Sequence, residues 1–307
     1  MADHQPLHHR RTSLNVQRVI AVLAISAISF FGLESLVYIA NLYQTQIYLE
    51  ASIFIYFFLI VWLHFIFDLH LREHHIDARS ISHALGLRFK HFLVWNNFRH
   101  FQNYLILPGL IYWSSIILIA INFGHTELQN FIALISSFCL VVCYTLFKEI
   151  FHSRFAPLEN SHFVILAYVK LYCAWLVYSA ALGIVWYYCF SPWLFYLLIF
   201  VSSFMLLYQA LFQYAQLGFW HIIEIFFISL IVAVASFFVY KYWNVNYFSA
   251  GLFLTAIYNL CWTLLFHKVN KTLAPEIIVE QLAIFLLMMV MVFGTTNFHS
   301  KIGRCTF

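Results

Sequence analysis

A chain of 307 residues that is 64% hydrophobic and 9% charged cannot clothe a water-soluble core, because an ordinary soluble domain is about one-quarter charged. Its formal net charge of +4 lies in the gaps between apolar runs rather than in a stripe, which excludes a nucleic-acid surface and points to lipid as the solvent. With only 9 glycines and 5 prolines, long unbroken helices packed through Phe, Leu, Ile and Tyr are expected, rather than the interrupted helices of many transporters.

Residues 1–18 are polar and carry His4, His8, His9, Arg10, Arg11 and Arg18. The apolar run from Val19 to Tyr43 is longer than the core of a secretory signal, about 7–15 residues, and no A-x-A site follows it. It is expected to be retained as a first span. About 20 apolar residues cross a hydrocarbon core. On that ruler nine spans are predicted, over 19–42, 50–68, 105–123, 130–148, 163–189, 193–214, 219–241, 247–266 and 276–295. Pro108, Pro192 and Pro275 fall at predicted span starts, where a missing N–H is harmless. The expected architecture is all-α: one polytopic transmembrane bundle over 1–307, of nine spans, or eight if the last run does not cross.

Charge asymmetry sets the orientation. With the N-terminus inside, twelve of the sixteen Lys and Arg lie on the inner side: three before the first span, five in the 69–104 loop, and Lys148, Arg154, Lys268 and Lys271. Lys241, Lys301 and Arg304 would lie outside, and Lys170 falls within a span. The two basic residues of the tail are the exception that keeps eight spans open. Within the inner loop, Ile81, Leu85, Phe89 and Phe92 recur at helical spacing, with His83, Gly86, Lys90 and Asn97 opposite. That pattern predicts a partly amphipathic helix lying in the membrane interface.

The stretch from His64 to Tyr104 also holds seven of the sixteen histidines. His70 and His74 are four apart, His75 follows, and His64 and Asp68 precede them at the same spacing. On a helix each such pair shares a face, and imidazoles oriented by a carboxylate suit a transition metal, iron or zinc. The string His70–His75 resembles one histidine box of the membrane desaturase and hydroxylase family. That resemblance implies a di-iron centre and a lipid substrate, but the family uses several boxes and this chain has one. His152, His162, His221 and His267 fall on the same predicted side singly. Histidines that hydrogen-bond near lipid headgroups are the plainer expectation.

Ionisable residues inside spans form a second constellation. Lys170, Glu224 and Glu280 fall at a similar depth, on the order of 6–11 Å from the inner boundary at 1.5 Å per residue. They are candidates for an intramembrane polar pocket, with Lys170 paired to Glu224 or Glu280, or for a buried pair that fixes helix register. Glu34 is a fourth candidate, in the outer part of the first span and apart from the others.

Cys139, Cys143, Cys173, Cys189, Cys261 and Cys305 are scattered without a C-x-x-C pair, so neither a zinc ribbon nor a disulfide framework is expected. Trp186, Tyr187, Tyr188, Trp193, Tyr242, Trp243 and Tyr247 gather near predicted outer boundaries as an interfacial belt. No H-E-x-x-H, G-x-S-x-G or phosphate-binding loop occurs. The expectation is an integral membrane protein of a cell or organellar membrane, in contact with lipid and with subunits of a membrane complex. Its role is expected to be non-enzymatic, transport-type or structural. The alternative is a metal-dependent enzyme acting on a lipid through the inner histidines.

Overall fold

The computed structural model describes the backbone of residues 7–42, 45–73, 95–152, 160–214, 218–243 and 245–296. Side chains are described for 19–42, 46–62, 105–146, 164–211, 218–243, 245–294 and 296. The described residues form α1 (Leu7–Leu42), α2 (Thr45–Glu73), α3 (Trp95–Ile121), α4 (Thr126–His152) and α5 (Asn160–Tyr187), then α6 (Pro192–Tyr214), α7 (Phe219–Tyr242), α8 (Tyr247–Val269) and α9 (Pro275–Thr295). No strand occurs among them. In lipid the backbone must satisfy its own N–H and C=O groups, and a helix does so within one segment. Hydroxyls inside the helices are satisfied the same way: Ser26, Ser52, Ser115 and Thr255 each donate to the carbonyl four residues back, at 2.7–2.8 Å.

Seven stretches are long and apolar enough to cross a membrane: Val19–Leu42, Thr126–Leu146, Val164–Tyr188, Pro192–Leu211, Phe219–Tyr242, Tyr247–Val269 and Pro275–Gly294. Two shorter apolar stretches, Gln46–Trp62 and Leu105–Ile121, belong to α2 and α3. The described residues are helical without strands, and the chain is a multi-pass integral membrane protein. Pro192 and Pro275 begin α6 and α9 as expected. Pro108 does not begin α3; that helix starts at Trp95 and carries Pro108 inside it. The polar residues before Pro108 therefore continue the helix, and the proline removes one interior hydrogen bond instead of a spare terminal donor. The interfacial helix expected around 81–92 lies outside the described residues.

The chain divides into two compact units, one of residues 1–108 and 123–156, the other of 109–122 and 157–307. The division falls inside α3, at Pro108. In the first unit α1 packs along both α2 and α4. Gly32 allows the α1–α2 approach, since a Cβ there would stand 2.9 Å from Ile55 Cγ2. The Ser137 hydroxyl of α4 lies 3.0 Å from the Ser29 carbonyl of α1 and 2.7 Å from its own Ala133 carbonyl. At the end of α1, the Asn41 amide donates to Gln129 Oε1 at 2.7 Å. Its Oδ1 accepts from the Gly124 N–H at 3.3 Å. Gly124 has φ 82, the left-handed region that favours glycine, and turns the chain into α4.

In the second unit α5 is the central helix, packed against α8 and α6, while α7 packs on α6 and α8, and α9 on α8. Leu176, Tyr178, Ser179 and Leu182 of α5 are fully buried. The α5–α8 contact is closest at Gly251, where a Cβ would meet Ser179 Oγ and come within 2.9 Å of the Ser179 nitrogen. A small residue here lets two backbones approach, as in other membrane helix pairs. Asn246 caps α8 by accepting from the Phe248 N–H at 2.8 Å.

Candidate intramembrane polar site

The second unit builds a polar seam into its apolar core. On α5 the residues Lys170, Cys173, Ala174, Val177, Tyr178 and Ala181 recur at the spacing of one helix face, and all are buried. That face places two polar groups and a thiol in one line. The Tyr178 hydroxyl and Ser203 Oγ of α6 are 2.7 Å apart. The ring of Tyr178 lies edge-on to Tyr258 of α8, with centroids 6.3 Å apart. Further along, the Trp175 indole donates to the Phe248 carbonyl of α8 at 3.1 Å, and the Tyr247 hydroxyl donates to Asn122 Oδ1.

Lys170 is 3% exposed and its Nζ stands 6.0 Å from the centroid of the Trp262 ring on α8, at the edge of cation–π range. Gln209 of α6 is fully buried in the same unit. A buried ammonium in a membrane helix marks a site by default, since it must be compensated by its surroundings.

A second polar cluster joins the start of α7 to the end of α8. Glu224 Oε1 accepts from Lys268 Nζ at 2.7 Å, and Glu224 Oε2 lies 3.4 Å from His221 Nδ1 one turn earlier on α7. His267 Nδ1 sits 2.9 Å from Thr272 Oγ1 beyond the end of α8. Lys268 lies in the last turn of α8, where the helix dipole favours a cation. The two helices run antiparallel across a short connection, so the opening turns of one meet the last turn of the other. Depth along the sequence groups Glu224 with Lys170 and Glu280 and counts Lys268 among the inner connecting charges, so it does not point to this contact across the hairpin.

Of the expected pocket residues, Lys170 is buried near Trp262, Glu224 bonds to Lys268 and His221, and Glu280 and Glu34 are exposed on α9 and α1. For the metal reading, the backbone of α2 carries His64, Asp68 and His70, but their side chains lie outside the described residues, as do His74 and His75 altogether. Among the described residues no three potential metal ligands converge.

Cysteine use departs from expectation at one place. Cys139, Cys143, Cys173 and Cys261 are free, the first three buried, as packing residues should be. Cys189, just past α5, is disulfide-bonded, which spacing alone gave no reason to expect. Compared with models of protein families, with curated proteins and with solved structures, the chain matches none.

Proposed function

We propose that this is a non-enzymatic structural or assembly subunit of a membrane complex, crossing the bilayer nine times with its N-terminus inside. The observation that carries the reading is the Glu224–Lys268 bridge. An acid expected to line a pocket instead fastens α7 to α8. The hydroxyl, indole and amide contacts of Tyr178, Trp175 and Tyr247 likewise join helices within one unit. Polar groups used in this way specify packing rather than a path for a solute. The test is extraction in a mild detergent such as digitonin, followed by native electrophoresis. The chain should migrate in a complex several times its own mass, with other polypeptides, and an isolated monomer would overturn the reading.

A transport-type role is the second reading, supported by the buried Lys170 beside Trp262. It predicts that Lys170→Met abolishes solute movement by reconstituted protein while leaving any large complex intact. The metal-dependent alternative, acting on a lipid, rests on the spacing of His64, Asp68, His70, His74 and His75. It predicts iron or zinc in purified protein, released by His70→Ala and by His74→Ala, because loss of one ligand opens such a site.

A further inference from the structure

We propose that the outward face of α1 centred on Glu34 docks a transmembrane helix of another polypeptide that carries a lysine or arginine near mid-membrane; this deepens the assembly reading and rests on it. Glu34 is the sixteenth of the 24 residues in the Val19–Leu42 span. At a rise of 1.5 Å per residue it lies about 5 Å from the midpoint of that stretch. Its side chain is exposed. The face of α1 that packs in the first unit is a different one, made by Ile25, Ser29, Leu33, Leu36, Val37 and Ala40. Around Glu34 the residues one turn away are Phe30, Phe31 and Tyr38, exposed by 41%, 66% and 66%. Ser35 beside it gives its hydroxyl proton to the Phe31 carbonyl at 2.6 Å, so it does not serve the carboxylate.

A carboxylate at this depth facing hydrocarbon is strongly disfavoured, and such residues normally meet a partner or a cavity. The surrounding aromatic rings make an apolar seat rather than a water-lined one. The apolar stretch continues to Leu42, about 12 Å further along the axis at 1.5 Å per residue, more than a glutamate side chain spans. The charge complement is a cation, and among the described residues this chain offers none in mid-span to a second copy. Lys170 is buried, and Lys241 and Lys268 sit in the last turns of their helices. The remaining Lys and Arg lie at the ends of the apolar runs or beyond them. Exposed aromatic faces beside the carboxylate would add cation–π attraction to the same guest. The fit is therefore to a different chain with a single basic residue in an apolar helix.

The test uses the full-length protein in phosphatidylcholine nanodiscs and labelled leucine-rich transmembrane peptides bearing one central lysine or none, with association read by energy transfer. The lysine peptide should associate several-fold more tightly than the all-leucine peptide. That preference should vanish in Glu34→Gln and persist in Glu34→Asp. A photoreactive residue replacing Tyr38 should capture the lysine peptide, and one replacing Phe238 should not. Equal association of the two peptides, or a preference that survives Glu34→Gln, would overturn the proposal. So would self-association that depends on Glu34 without peptide, since it would assign the face to a second copy. Glu34 is exposed, so Glu34→Gln should keep the wild-type unfolding temperature, which confirms that a lost preference is local. The two readings fail separately. A large digitonin complex alongside no lysine preference removes this site and leaves the assembly role. A monomer in digitonin that still prefers the lysine peptide removes the role and leaves the site.

Discussion

At Glu224 one carboxylate has three cationic candidates, and geometry selects Lys268 at 2.7 Å with His221 in support. Lys268 is 61% exposed and Glu224 28%, so the pair works partly in water, and its coupling should be modest, about 0.5–1 kcal/mol. A double-mutant cycle with Glu224→Gln and Lys268→Met, read as thermal stability in detergent, should return a coupling of that size. The matching cycle between Glu224→Gln and Lys170→Met should return about zero. A larger Lys170 coupling would restore the pairing expected from depth alone. The sequence places Lys170, Glu224 and Glu280 in one layer because hydropathy measures distance along each helix. It does not say which way a side chain turns around that helix, and only packing decides that Lys170 faces Trp262 while Glu224 faces the end of α8.

At the level of helices, each of the nine apolar runs became a helix, because lipid leaves the backbone little else to do. The ends were harder. Pro108 looks like a start, yet α3 begins at Trp95, since a criterion built on apolar runs stops where the helix does not. Packing was also only partly legible. A chain with few glycines suggests contacts through bulky side chains, but α5 and α8 approach closely through Gly251 against Ser179. Nothing in the sequence near 251 marks that glycine above the others, because its importance comes from a residue on a distant helix. Gly251→Ala should therefore force the two helices apart and cost about 1–3 kcal/mol, as overpacking does elsewhere. Gly294→Ala is the control, with nothing within 4 Å of the added methyl group. Thermal unfolding of the two variants in detergent should show a clear loss for the first and little change for the second. Equal behaviour would mean that α5 and α8 are not in close contact at this point.

For the molecule as a whole, nine crossings put the termini on opposite sides, and eight put them on the same side. The charge count favours an inner N-terminus because twelve of the sixteen basic residues then lie inside. Cysteine chemistry gives a separate check. Cys139, Cys143 and Cys173 are buried, so a membrane-impermeant maleimide should find little native background there. A cysteine introduced at Gln46 or Thr126, both exposed at helix starts, should be labelled in intact cells, and one at Ser80 only after permeabilisation. Labelling at Ser300 in intact cells counts nine spans; labelling there only after permeabilisation counts eight. Labelling at Ser80 in intact cells would invert the orientation. The disulfide at Cys189 adds a prediction that does not depend on introduced residues. With the N-terminus inside, the end of α5 faces outward under either span count. Disulfides persist where the compartment is oxidising, which is the outer side of a cell membrane or the lumen of an organelle. Brief reduction should therefore make Cys189 newly reactive to the impermeant reagent added from that side. New reactivity at Cys189 only after permeabilisation would place the α5 end on the same side as Ser80, and the inner assignment of the N-terminus would fall with it.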